Sequence, residues 1–114
     1  MAERFIGILM SSRNHAHMYH LTTKSFAEHK ALQAYYEGIV PLVDAWAEAY
    51  MGKYGRLTKI SLNRGTPRIS AKAYFQMLLK RIRAIRLRKD SYLKNIYDEI
   101  IALIRSTLYM LSLR

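Results

Sequence analysis

The sequence predicts an all-α protein, a four-helix bundle formed by a single domain over residues 1–114. Only two prolines and five glycines interrupt the chain, and 51% of its residues are hydrophobic, which is enough for one substantial core. No segment alternates apolar and polar residues for long enough to form a strand. Apolar residues instead recur every three or four positions, the spacing that places them on one face of a helix.

The first predicted helix covers about residues 2–21, and the second extends from a cap at Ser25 to Met51. Ser25 is followed three positions later by Glu28, and this pair forms a capping box that satisfies free N–H groups at a helix start. Pro41 removes one backbone hydrogen bond inside the second helix and should bend it.

The third predicted helix covers about residues 68–88, and the fourth covers about residues 91–113 with Asp90 or Ser91 as its cap. Residues 53–67 hold two glycines and a proline without a sustained period, which indicates a connection. The outward face of the third helix is expected to carry Lys72, Lys80, Arg81, Arg83 and Arg88.

The lengths of the connections indicate the topology. Short links join the first helix to the second and the third to the fourth, and such links force antiparallel neighbours. The middle link of about 15 residues can reach about 50 Å when extended, whereas a helix of about 20 residues is about 30 Å long. The lengths therefore permit a ferritin-like arrangement, in which two hairpins are joined by one long crossover.

Positive charge is concentrated in one region. Residues 53–94 contain 13 of the 19 basic side chains and a single acid, Asp90, whereas the formal net charge of the whole chain is +11. Such a region favours binding to phosphate backbones, and the absence of a recognition helix or zinc finger pattern predicts no dependence on base sequence. The residues predicted to contact nucleic acid are Lys59, Arg64, Arg68, Lys72, Lys80, Arg81, Arg83, Arg86, Arg88 and Lys89.

Two other partners fit the same charge. The cations could pair with an acidic face of another subunit or protein, or the third helix could lie on an anionic membrane surface. The third predicted helix lacks the tryptophan and the exposed apolar face of a membrane binder. The sequence also shows no signal peptide and no uncharged run near the roughly 18 residues of a transmembrane helix, so we expect a soluble, intracellular protein without a membrane partner.

Histidines and carboxylates form a second candidate site. His29, Asp44 and Glu48 fall within an arc of about 100° on the second predicted helix. His17 and His20 lie near the end of the first helix, beside the start of the second. Imidazole and carboxylate ligands on facing helices can hold iron, manganese or zinc. A hydrated polar face is the alternative interpretation of the same spacing.

Several kinds of chemistry are excluded. The chain has no cysteine, which removes disulfides, thiol nucleophiles and thiolate metal ligands. No serine lies in a G-x-S-x-G setting, and no glycine-rich phosphate loop is present. The sequence therefore identifies no catalytic side chain of its own.

The stretch from Ala16 to Glu48 resembles the Dps branch of the ferritin superfamily. In that branch the iron ligands follow the intervals seen here between His17, His29, Asp44 and Glu48. A closer likeness is to short Dps-like proteins of tailed phages, which carry the pattern H-x-x-T-K-S-aromatic-A-E-H-K-A-L, matched here by the run HLTTKSFAEHKAL from His20 to Leu32. In that alignment His20, rather than His17, is the ligand from the first helix.

The resemblance implies one function for this protein, and the basic region alone leaves a second function open. It implies a homo-oligomer that binds iron, or manganese or zinc, at a site shared between subunits, with ferroxidase-like oxidation and with DNA held by the basic surface. It places the protein in the host cytoplasm or the virion. The alternative is a non-catalytic basic component of a virion or nucleoprotein, in which only the basic surface acts.

Overall fold

The computed structural model describes residues 1–63 and 65–113. Within these residues the chain forms four α-helices and no strand, which confirms the all-α prediction. The helices are α1 (Ala2–Thr22), α2 (Phe26–Tyr54), α3 (Ala71–Arg83) and α4 (Ser91–Leu111). No helix in this described part combines the length and the apolar character needed to cross a bilayer.

Two serine side chains set the starts of α2 and α3. The Ser25 hydroxyl accepts a hydrogen bond from the Glu28 backbone N–H at 3.2 Å, so the predicted cap is confirmed. The other half of the predicted capping box is not formed, because the Ser25 backbone N–H donates to the Thr23 hydroxyl at 3.2 Å and not to the Glu28 carboxylate. Ser70 accepts from the Ala73 backbone N–H at 3.1 Å in the same way. At its other end α2 stops at Gly55, whose φ of 101° is a conformation that favours glycine.

The structure corrects the prediction for the third helix, which is shorter at both ends than residues 68–88. Its start moves to Ala71 because the Ser70 side chain provides the cap. Beyond Arg83 the chain leaves the helical path, and Ile85 turns into the core with only 8% of its surface exposed. The link between α3 and α4 is therefore longer than the sequence predicts.

The second helix also continues past its predicted end at Met51 and through Gly52. The Tyr54 ring packs against the Tyr50 ring, with centroids 5.0 Å apart, and one more helical turn is needed to bring the two rings together. This extra turn positions Tyr54 next to the link between α3 and α4.

The four helices surround one core. Helix α2 lies next to α1 and α4, and α3 lies next to α1 and α4. The diagonal pairs meet through side chains in the core, Phe5 of α1 with Tyr97 of α4 and Tyr35 of α2 with Phe75 of α3. The largest side chains that are fully buried are Trp46, Tyr35, Phe5, Phe75, Ile6, Leu9, Leu32, Ile39, Leu78, Ile82, Leu93 and Ile100. Each such side chain contributes about 1.5–3 kcal/mol when it is removed from water.

The connection between α2 and α3, residues 55–70, begins its path beside the first half of α1. Gly7 faces the backbone of Ser61 so closely that an added Cβ would collide with the Ser61 carbonyl oxygen. Since backbone atoms cannot move aside as a flexible side chain can, only glycine fits at this point of α1.

The same connection then follows α1 toward its C-terminal end. The Asn63 backbone N–H donates to the Ser11 hydroxyl at 2.7 Å, and the Tyr19 hydroxyl donates to the Ile69 carbonyl at 2.6 Å. Helix α3 therefore begins beside the end of α1 and extends back toward its start.

Candidate functional site

Three of the predicted metal ligands, His17, His20 and His29, lie together at the turn between α1 and α2. The His20 and His29 rings are stacked, with centroids 3.6 Å apart. Each ring donates from Nδ1 to the backbone carbonyl of the other residue, at 2.7 and 2.8 Å. These bonds require a proton on Nδ1 of each ring. The His17 ring stacks on Tyr36 at 4.4 Å.

The two predicted acidic ligands, Asp44 and Glu48, lie elsewhere on α2 and are exposed. Asp44 follows His29 by 15 residues, which is about 22 Å along a helix. Among the described residues no group of three histidine or acidic side chains could hold a metal ion. Within one chain, the five predicted ligands therefore do not fit an iron, manganese or zinc site.

The predicted nucleic-acid contacts spread over three segments. Arg64 lies outside the described residues, and Arg81 is half-buried. The other side chains are exposed: Lys59 and Arg68 on the 55–70 connection, Lys72, Lys80 and Arg83 on α3, and Arg86, Arg88 and Lys89 on the link to α4.

Four cations lie together in an open groove, called the basic groove here. Its volume is about 810 Å³, and Arg86, Arg88, Lys89 and Lys94 line it. Apolar and aromatic residues complete its walls, namely Trp46, Ile85, Leu87, Leu93 and Tyr97. No described carboxylate lines the groove, although Lys94 pairs with the exposed Asp98 beside it at 3.3 Å. The groove therefore combines a net positive charge with apolar side chains.

A carboxylate beside the groove anchors the link between α3 and α4, which carries three of the groove cations, to the end of α2. Asp90, the residue before α4, accepts hydrogen bonds from Lys53 Nζ and, at 2.6 Å, from the Tyr54 hydroxyl. These bonds form the Asp90 clamp between the end of α2 and the loop. Asp90 is the N-cap residue of α4, as one of the two predicted positions, but its carboxylate makes no capping hydrogen bond. Arg88 lies over the Tyr54 ring, 4.6 Å from the centroid.

The clamp also determines the charge near the groove. The hydrogen bond from Lys53, followed by that from Tyr54, lowers the pKa of Asp90 to about 2. The same contacts raise the pKa of Lys53 and of Tyr54 above their ordinary values. Asp90 is therefore ionised at neutral pH, and the adjacent lysine offsets its charge.

A row of aromatic rings supports the groove from below. Phe5 contacts Trp46 with centroids 4.8 Å apart, Trp46 stacks on Tyr50 at 5.3 Å, and Tyr50 packs against Tyr54. Sequence analysis missed the contribution of Trp46 and of Lys94 to this site. The spacing of four residues between the aromatic positions on α2 was the available signal.

Comparison with known proteins places this four-helix chain in a family. It belongs to DUF5856, a family of unknown function, with a match over residues 20–111. Over 55 residues it is 36% identical to an uncharacterized 14.6 kDa protein from the mobD-ri intergenic region of Enterobacteria phage T4. The match covers 48% of this chain and 43% of the phage protein, less than half of either. No solved structure matches the chain.

Proposed function

We propose that this protein binds nucleic acid without sequence preference, through the basic groove. The observation that carries the proposal is that Arg86, Arg88, Lys89 and Lys94 line one groove that no described carboxylate enters. A phosphate backbone that contacts these cations would release condensed counterions, and that release drives most non-specific binding.

The chemistry of the groove favours contacts to phosphates over contacts to bases. Apart from Tyr97, its polar side chains are cations on a loop and on the first turn of α4, and no described helix presents a set of amide side chains to the groove. Trp46 is only 1% exposed, so its ring cannot stack on a base. Contacts to the backbone position a nucleic acid but do not specify its sequence.

The test compares two duplexes of unrelated sequence by fluorescence anisotropy with the full chain. The double variant Arg88→Gln/Lys89→Gln should bind both duplexes more weakly, since it removes two groove cations. The control is Arg105→Gln, which removes an exposed cation from α4, 11 residues beyond Lys94. A strong preference for one duplex, or unchanged binding by the double variant, would contradict the proposal.

A second candidate function is a metal centre shared between copies of the chain. Nδ1 of His20 and of His29 each donates to a carbonyl, the arrangement that orients Nε2 of a metal-bound histidine. Exposed Asp44 and Glu48 could approach that cluster only from a second chain. The helix arrangement and the 55–70 connection, which returns along α1, are compatible with a ferritin-like, Dps-like bundle. Ferroxidase-like oxidation would be the activity of such a shared metal centre.

Elemental analysis tests this candidate on protein purified without a histidine tag, with sedimentation to give the oligomeric state. Iron, manganese or zinc should be stoichiometric in an oligomer, and His29→Ala and Asp44→Asn should each reduce the content. Metal at the same low level in the wild type and in both variants would remove the candidate and leave the basic groove as the functional site.

A further inference from the structure

A second cavity lies on the side of the bundle formed by α1, α3 and the 55–70 connection, and it is called the arginine cavity here. Its volume is about 290 Å³, near the lower end of the range of about 300–1,000 Å³ for small-molecule sites. Its polar lining comprises His15, Asn63, Thr66, Arg68, Tyr74 and Arg81. It shares no lining residue with the basic groove.

The proposal for this cavity depends mainly on Arg81. The sequence predicts that this side chain faces outward from α3, and the structure corrects that prediction. Arg81 is half-buried, whereas Arg83 is exposed and lies about 160° away around α3. The ion pairs of the described residues use Glu3, Asp90 and Asp98, and none of them involves Arg81. A partly desolvated guanidinium without a carboxylate partner is unfavourable, and a bound anion would offset that cost.

Apart from Arg68 and Arg81, the polar side chains that line the cavity carry no charge. His15 is 8% exposed, and its Nδ1 lies 2.9 Å from the Tyr74 hydroxyl. Burial lowers the pKa of His15, a backbone hydrogen bond at Gly65 opposes this, and the charge of Arg81 lowers it further. Burial also raises the pKa of Tyr74. Both groups can therefore exchange hydrogen bonds with a ligand at neutral pH without adding a charge.

Apolar side chains also line the cavity, namely Ile8 from α1 and Met77 and Leu78 from α3. Cationic and apolar side chains in one cavity suit an anion that is attached to an apolar or aromatic body. We propose that the arginine cavity binds a phosphate monoester, with Arg68 and Arg81 on the phosphate and the organic body against the apolar side chains.

Charge matching favours a monoester over the internal phosphate of a polymer. A monoester carries about −1.5 to −2 charges at neutral pH, with a second pKa of about 6, and the two arginines of the cavity match that charge. An internal phosphodiester carries a single negative charge and would leave one arginine without a counter-charge. The monoester could belong to a free nucleotide or to the 5′-terminal phosphate of a nucleic acid strand, and both present the same group.

The experiment is isothermal titration calorimetry on the full chain at constant ionic strength, with AMP as the probe and adenosine as the uncharged control. AMP should bind and adenosine should not. Arg81→Gln should weaken AMP binding by about 10- to 100-fold, the effect of losing hydrogen bonds to a charged group. Arg83→Gln is the matched control on the same helix and should leave the affinity unchanged.

Two further variants keep the test decisive. Arg68→Gln changes an exposed side chain, so it should weaken AMP binding even where Arg81→Gln alters folding. The groove variant Arg88→Gln/Lys89→Gln should bind AMP normally, which separates this proposal from the proposed nucleic-acid function.

A pair of short oligonucleotides, with and without a 5′-phosphate, identifies the source of the phosphate. A preference for the phosphorylated strand that Arg81→Gln removes would assign the cavity to strand ends. AMP binding without such a preference would assign it to free nucleotides. If neither AMP nor the 5′-phosphate is recognised, or if Arg83→Gln weakens binding as much as Arg81→Gln, the proposal is overturned.

Discussion

The affinity of the basic groove for duplex DNA should depend steeply on salt. If each of the four groove cations neutralises one phosphate, the logarithm of the affinity falls with the logarithm of salt concentration with a slope of about −3.6. Between 50 and 200 mM salt the affinity should therefore drop roughly 150-fold. Anisotropy titrations at several NaCl concentrations measure this slope directly.

Single variants then assign the slope to the groove. Lys94→Gln removes one groove cation and should reduce the slope to about −2.7. Arg105→Gln removes the same charge from the same helix at a distance from the groove, and its slope should equal that of the wild type. A wild-type slope near zero, or an equal reduction in the two variants, would refute the assignment.

Three further predictions concern stability. Gly7→Ala should lower the free energy of unfolding by about 1–3 kcal/mol in urea titrations, because the new Cβ meets the crossing backbone, whereas Gly52→Ala, which meets nothing, should raise it by up to about 1 kcal/mol. Ser12→Ala should lower the free energy of unfolding by about 1–3 kcal/mol, because it leaves the buried Tyr35 hydroxyl without its partner at 2.6 Å. Tyr35→Phe removes that hydroxyl and should lower the free energy of unfolding by only about 0.5–1.5 kcal/mol. A larger loss in Tyr35→Phe than in Ser12→Ala would contradict this reasoning. Asp90→Asn should lower the melting temperature at neutral pH, because it removes the carboxylate that accepts from Lys53 and Tyr54. The difference from the wild type should shrink as the pH falls from 3.8 toward about 2, because the lowered pKa of Asp90 means that its stabilising effect is complete above pH 3.8 and is lost as the folded-state carboxylate is protonated. A difference that stays constant over this pH range would show that the carboxylate charge is not responsible.

The sequence predicts the helices whose ends are decided locally. The first helix agrees with α1 to within one residue, and Ser25 starts α2 as expected. The end of α3 is different, because it depends on distant contacts. Ile85 reaches the core, and Arg88 is drawn to the ring of Tyr54. Periodicity along the chain carries no information about such contacts, so the prediction continues the helix too far.

For the candidate sites too, the sequence predicts what depends on neighbouring residues and misses what depends on distant contacts. Helical spacing correctly predicts that His17, His20 and His29 lie close together, because a short turn joins their helices. Spacing also places Asp44 on the same face of α2 as His29, but a shared face leaves two residues far apart along the axis. The count of cations predicts a basic region, yet only the fold shows that Lys94 joins the groove.

The row of rings beneath the basic groove has a practical consequence. Trp46 is the only tryptophan of the chain, it lines the groove, and it stacks on Tyr50. The protein thus carries a buried intrinsic fluorophore directly behind its proposed binding surface, excitable directly or by energy transfer from neighbouring tyrosines. Its emission can follow ligand occupancy and unfolding in the unlabelled chain, without any substitution that would disturb the core.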